Sequence, residues 1–487
     1  MKALTAPLRY TLFIVFLTLA VITHSHAAMS PELTSALQKK RLTEEDKVLI
    51  NQSEELQAFY QYLLIDRDLS NELTINVNKI DAAKIPTTKM EHGFSDYIPA
   101  IIGENRQRRD GVMVDKDGKI RHLKYRPQTQ EDINFLSRFK KLNQLYLQSY
   151  SEQLKHVSLA NLTALKELHL NLGYTEKLNF GEDTLPLSTI LIANENVKTL
   201  ANIKNLENLQ YLTVLPSSIS DYTELEHNKT LKHLSIDATT QIKLPNFSNL
   251  KNLHYLDITA KESISDLSLK NCKNLTEVIL RPVRLETIEF PSSIKKLFSD
   301  GINKKEDLSN LSHLSNLEDL SLGYTLINSL KGIPHLKNLK RLELDGNKIN
   351  SLDGLNRFRK LQELAIYSGG LTETPDLTQH PDLKNLTLKN QKLEKLCHTK
   401  TWKNVEKINL RDNEIKKLDG LRHLTSLKEM DLRGNPLREV SQTDLDALVK
   451  KEFEGYINVT RTEFGVDIMY DDELIKKYYF FEDPEYR

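Results

Sequence analysis

The chain has 487 residues, too many for one ordinary globular core and enough for several domains or one long repeat array. Lys plus Arg and Asp plus Glu number 67 each, so no basic excess points to nucleic acid and no net charge points to an acidic or basic surface partner. Two cysteines in a chain of this length exclude a disulfide-stapled scaffold.

The first charges, Lys2 and Arg9, precede an apolar run from Thr11 to Ile22. That run is shorter than the roughly 20 residues needed to span a bilayer. Small residues follow in THSHAAMS, where Ser25 and Ala27 fit a small-x-small cleavage rule and Ala28 is an adjacent alternative. Residues 1–28 therefore read as a secretory signal peptide, and the mature chain as periplasmic or secreted, with no membrane insertion after cleavage.

Residues 29–119 are expected to form a mainly helical N-terminal region and cap. Thr43 with Asp46 three residues on is a capping-box variant. Val48, Leu49, Leu56, Phe59, Tyr60, Leu63 and Leu64 then recur at helical spacing, giving a helix of roughly 20 residues. VMVDKDGKIRHLKY reads as a hairpin turning at Asp117-Gly118. A calcium loop on Asp115 and Asp117 would need a further acid and a Glu twelfth in line, where Arg126 stands.

From Ile120 onward one pattern dominates. LxxLxL triplets start at Ile120, Leu142, Leu165, Leu187, Leu209, Leu231, Leu253, Leu275, Ile294, Leu317, Leu339, Leu361, Leu383, Val405 and Leu427. The step is 22 residues, with 23 before Leu165, 19 before Ile294 and 23 before Leu317. Each triplet holds a short strand whose alternate residues face opposite ways, leucines in and the x residues out. One unit cannot bury its apolar face alone, whereas stacked units share a continuous core beneath a parallel sheet. Three residues after the strand stands an amide at Asn347, Asn413 and Asn435, with Thr325, Gln391 and Glu195 at the same phase elsewhere, a ladder position able to bond neighbouring turns. The return segments carry Gly where the chain turns, as at Gly354 and Gly420. The 19-residue step, with Pro282 and Pro291 beside it, predicts a local break in curvature through 275–300.

Fifteen in-register copies over about residues 120–440 resemble the leucine-rich repeat family, in its bacterial 22-residue class, and look most like the secreted internalin-like proteins. The resemblance implies an α/β solenoid: a curved array with a parallel β-sheet on its concave face, which binds a protein or peptide there. The chain departs from those proteins in carrying no LPxTG-type sorting signal. Cys272 and Cys397 lie 125 residues apart, five to six repeats. At about 4.8 Å per stacked strand that exceeds 20 Å, so no bridge is expected. Residues 441–487 read as a C-terminal cap, with Leu445, Leu448, Val449 and Phe453 on the inner side of a helix.

No GxSxG, P-loop, HExxH or CxxC occurs, so no catalytic constellation, metal site or cofactor is expected. His313, His335, His380 and His423 recur at nearly one phase as a column on the return wall. The open sheet face is more informative. Its third position gives Tyr211, His233 and Tyr255 on adjacent strands, and its fifth position His169, Thr213, Ser235 and Asp257. Arg281, Phe298, Tyr324 and Tyr367 lie further along. Aromatics with a few charges are what interface centres enrich, and these residues are expected to be exposed and to bind a protein partner, a host surface protein if the organism lives with a host. The alternative is an envelope scaffold without a specific concave ligand. The mixed charges of the C-terminal copies do not make a phosphate groove, and nucleic acid is not an expected partner.

Overall fold

The structure, a computed structural model, describes Glu55, residues 76–79, 111–114, 119–260, 264–281, 285–300, 308–325, 327–436, 439–440, 443–444, 458–462 and 465–469. The expected signal peptide and the N-terminal helix (Glu55 apart) fall outside them, as does most of the C-terminal helix, of which the helical pair Thr443 and Asp444 is described. Backbone contacts divide the chain into two compact units, residues 1–209 and 210–487.

In the first unit, β1 (Asn76–Lys79) pairs in parallel with β2 (Gly111–Val114). β2 runs antiparallel to β3 (Ile120–Tyr125), which is the expected hairpin, with Val112 opposite Leu123. A short helix not anticipated from the sequence follows, α1 (Gln130–Phe135). Thr129 caps it while the buried Asp132 carboxylate accepts from the backbone N–H groups of Gln128 at 2.6 Å and Thr129 at 2.8 Å. β4 (Gln144–Ser149), β6 (Glu167–Leu172) and β8 (Thr189–Ala193) extend β3 as a parallel sheet. β5 (His156–Ser158), β7 (Lys177–Asn179) and β9 (Thr199–Ala201) form a second small parallel sheet.

The second unit carries the longer ladder. Its parallel strands are β10 (Tyr211–Ser217), β11 (His233–Ala238), β12 (Tyr255–Ala260), β14 (Glu277–Arg281), β16 (Lys296–Asp300), β17 (Asp319–Gly323), β18 (Arg341–Asp345), β19 (Glu363–Tyr367), β20 (Asn385–Lys389), β21 (Lys407–Asn409) and β23 (Glu429–Asp431). Between these lie two short parallel pairs, β13 (Ile264–Ser268) with β15 (Leu285–Glu289) and β22 (Lys417–Leu418) with β24 (Glu439–Val440). β25 (Asn458–Thr462) and β26 (Gly465–Met469) make an antiparallel hairpin.

The register is the sequence period made visible. Leu342 stands opposite Leu320 and Leu364, and Leu344 opposite Leu322 and Ile366. All of these are fully buried, because alternate strand residues share one face and stacking removes that face from water. The return segments are mostly single 3-10 turns, such as Leu355–Arg357 and Leu421–His423. Their leucines complete the core from the other side.

Two expectations are corrected. The sheet does not break at 275–300: Glu277 pairs with Lys296, Val278 with Leu297 and Leu280 with Ser299, in register. The step of 19 is absorbed outside the main ladder, where β13 and β15 pair next to the prolines. The ladder side chain near 195 is Asn194, not Glu195. Asn194 is buried and donates to the carbonyls of Leu172 and Thr175, whereas Glu195 is exposed.

In the second unit the ladder runs as expected. Asn413 donates to Leu388 O at 2.7 Å and Leu410 O at 2.8 Å, while its Oδ1 accepts from the N–H groups of Gln391 at 3.2 Å and Leu393 at 3.3 Å. Asn413→Ala would strand buried donors and acceptors on two successive turns. The expected loss is about 2–4 kcal/mol, since each buried unsatisfied group costs about 1–3 kcal/mol. Hydrogen exchange should place that loss in residues 385–431. Uniform protection there would refute the ladder's role.

A further position recurs at the strand exits. Tyr324, Gly346, Ser368, Asn390, Asp412 and Gly434 follow one another every 22 residues, and all have positive φ. Gly, Asn and Asp accommodate that backbone readily, and tyrosine does not. Cys272 and Cys397 are free thiols, in agreement with the spacing argument.

Candidate functional site

The predicted face residues sit on the side of each strand opposite the leucines, and the ladder brings most of them into contact. In the first unit His169 meets Tyr146 edge-on, ring centres 6.2 Å apart, and burial holds the His169 imidazole down at about 4. Lys124 Nζ lies 4.9 Å from the centre of the same tyrosine ring.

In the second unit Tyr211, His233 and Tyr255 are direct register partners. The His233 ring stacks on Tyr255 at 4.1 Å with an interplanar angle of 5°, while Tyr211 leans against it at 6.2 Å and 39°. Thr213, Ser235 and Asp257 form the neighbouring row. The expectation that this stripe is exposed fails. His233 is 6% exposed, Tyr255 8% and Asp257 7%, Thr213 and Ser235 are buried too, and Tyr211 is half-buried. Rings on strands about 4.8 Å apart close over one another and over the small side chains beside them. Sequence phase tells which way a residue points but not how much its neighbours cover.

The buried row has unusual electrostatics. The Asp257 Oδ2 accepts from Tyr255 Oη at 3.4 Å and pairs with Arg281 Nη2 at 3.3 Å, while Oδ1 and the His233 Nε2 have no hydrogen-bond partner among the described residues. Burial pushes the Asp257 carboxyl up to about 6 against the pull of Arg281. Burial also holds His233 down at about 4 and raises the Tyr255 hydroxyl well above its ordinary value.

Beyond β14 the face opens. Phe298 is half-buried under the Arg341 guanidinium, 5.9 Å from the ring centre. Arg341 is a hub: it pairs with Asp319 at 3.4 Å, with Glu363 at 3.3 Å and with Glu343. Tyr367 ends β19, half-buried. Tyr324 stands one residue beyond β17, 63% exposed, on a backbone with φ of 52°. Its ring lies over Gly346, where a Cβ would come within 2.6 Å of it. The glycine is therefore required twice, for its own positive φ and for the tyrosine above it.

The His column on the return wall serves packing in part. His313 Nε2 meets Phe290 O at 2.9 Å and His380 Nε2 meets Leu355 O at 3.0 Å, each a contact to an earlier turn. Among the described residues no group of three or more His, Cys, Asp or Glu side chains could hold a metal ion, and no helix is long and apolar enough to cross a membrane.

Residues 381–437 match a family model described as leucine rich repeat. No curated protein sequence matches the chain. Among solved structures, a leucine-rich repeat protein of Leptospira interrogans is similar at 21% identity, TM-score 0.48, over 67% of this chain and 97% of that one. An internalin of Listeria monocytogenes is similar at 18% identity, TM-score 0.44, over 60% and 87%. A plant peptide hormone receptor in complex with its RGF2 ligand is similar at 17% identity, TM-score 0.39, over 68% and 59%. With its 22-residue register carried from strand to strand, the chain has the fold of a leucine-rich repeat array, and residues 381–437 match the family model of that repeat.

Proposed function

We propose that the protein is exported and binds a protein partner on the open sheet face of its second unit, with no catalytic role. The observation that carries this reading is Tyr324, a large aromatic left 63% exposed at the strand exits of the unit that also holds the half-buried Phe298 on β16 and Tyr367 on β19. Large aromatics set among charges on an otherwise polar surface are the usual anchors of an interface. The leucine-rich repeat fold is a common protein-binding scaffold, and the apolar leader at Thr11–Ile22 supports export. The predicted set divides accordingly. Arg281, Phe298, Tyr324 and Tyr367 are the contact residues. Thr213, His233, Ser235, Tyr255 and Asp257 form a closed support beside them, with Tyr211 at its margin, and His169 belongs to the first unit's own face.

The test is a crosslinking pull-down with residues 29–487 from envelope and host-cell extracts. The baits are wild type and a Phe298→Ala/Tyr324→Ala/Tyr367→Ala variant. A protein caught by wild type and lost by the folded variant supports the reading. The envelope scaffold is a second reading, favoured by the burial of His233 and Tyr255. It predicts the same catch from both baits.

A further inference from the structure

The charges on the open face of β14 to β19 do not balance, and the imbalance has an address. The outward positions of these five strands carry six carboxylates against three cations. Every cation is already engaged: Arg281 with Asp257, Lys296 with Glu277 at 3.3 Å, and Arg341 with three carboxylates. What remains is Asp300 and Asp345, for neither of which an ion pair is present among the described residues. They are not scattered. Asp300 stands opposite Gly323, and Gly323 opposite Asp345, in one row across three strands.

The glycine turns that row into a notch. With no side chain at 323, Asp300 leans over the backbone there, its Oδ1 reaching within 2.2 Å of where a Cβ would sit. Tyr324 follows immediately and closes the end, its N–H donating to Asp345 O at 2.8 Å. The carboxylates start on strands about 9.6 Å apart, two spacings of about 4.8 Å, and two carboxylates are too few for the oxygen shell of a bound metal; among the described residues no group of three or more His, Cys, Asp or Glu could hold one. That span and an exposed aromatic wall suit a long side chain with a cationic tip. Its methylenes would lie on the Tyr324 ring and its charge between the two carboxylates. Partial burial raises the Asp300 carboxyl above its ordinary value, the Arg281 charge draws it back down and the Asp345 charge raises it again, so the two carboxylates lie within electrostatic reach of one another.

We infer that the notch formed by Asp300, Gly323, Tyr324 and Asp345 takes a lysine or arginine side chain of the protein partner, which makes an exposed basic segment the recognised element. This rests on the proposed binding role of the same face and specifies its partner's chemistry.

The probe is a fluorescein-labelled peptide of four Gly-Arg repeats with blocked ends, titrated onto the full chain at low ionic strength. Saturable binding is expected, falling as salt rises. Asp300→Asn/Asp345→Asn and, separately, Tyr324→Ala should each weaken it by about tenfold or more, as loss of a charge-assisted contact does. A control pair, Glu394→Gln/Glu414→Gln, removes two carboxylates outside β14 to β19 and should leave binding unchanged. Equal loss in control and notch variants, no saturable binding, or full displacement by micromolar calcium would each overturn the inference. Pull-down of a partner by Asp300→Asn/Asp345→Asn but not by the aromatic triple variant would overturn it too, while leaving the binding role of the face intact.

Discussion

Trp402→Ala is expected to cost about 3–5 kcal/mol, the usual range for emptying a fully buried aromatic site. Trp402 is the chain's one tryptophan and has no solvent exposure. Its indole Nε1 donates to Pro375 O at 2.8 Å, a bond that reaches into the preceding repeat. Alanine would remove the ring and also leave that carbonyl without its donor inside the core, which by itself costs about 1–3 kcal/mol. Trp402→Phe keeps most of the volume and loses only the bond, so it should cost about 1–2 kcal/mol. A solenoid's stability is a sum over units and their interfaces, so the damage should be local. Hydrogen exchange is the suitable measurement. Protection should fall through residues 371–431 and stay unchanged in 120–200. A variant as protected as wild type around Val405 and Leu410 would contradict the packing described above.

Asp257→Asn should change stability in a way that depends on pH. The folded carboxyl titrates at about 6, above its ordinary value of 3.8, chiefly because burial disfavours the charged form. A raised folded value means that the native state holds the proton more tightly than the unfolded chain does. The associated stability is complete below about pH 4 and is lost as pH rises through 6. Asparagine carries no such dependence. Between pH 4 and pH 7 the stability of the variant relative to wild type should therefore improve by about 2 kcal/mol, two pH units of linkage discounted for relaxation. The groups acting on Asp257 are Tyr255 on its own strand, Asp237 on β11, and Glu277 and Arg281 on β14, and His233 stacks on Tyr255 beside them. His233 titrates in the opposite sense: held at about 4, it must stay uncharged in the fold, and stability is lost as pH falls from 6.5 toward 4. Both proteins share that acid limb, so the difference between them isolates Asp257. Urea melts of both at pH 4 and pH 7 give the four numbers needed. A difference that does not move with pH would mean that Arg281 and solvent already neutralise the carboxylate's cost.

These two residues show where local reading stopped. Asp257 and Trp402 are ordinary letters in their repeats, and neither carries a local pattern of its own. Asp257 stands at an outward phase, which predicted exposure, yet the stacked rings of His233 and Tyr255 and its own small neighbours close over it. At the ladder position the sequence phase pointed to Glu195, whereas the structure uses Asn194, because the preceding turn is one residue tighter and only the amide both donates and accepts. The prolines at 282 and 291 predicted a break that the sheet does not have, since a shortened repeat can lose its residues from the return side and keep its strand in register.

What the sequence determined by itself was the period: leucines every 22 residues at LxxLxL spacing, which dictates strands, their parallel stacking, their in-register pairing and which side of each strand is apolar. Those properties are local and repeat, so each copy reports on the next. The tertiary structure alone decided which outward residues are covered and which remain open, and that Asp300 and Asp345, which have no ion pair among the described residues, flank one glycine beside an exposed tyrosine. Both depend on side-chain volumes and charges contributed by three or more strands at once, and no single repeat contains that information.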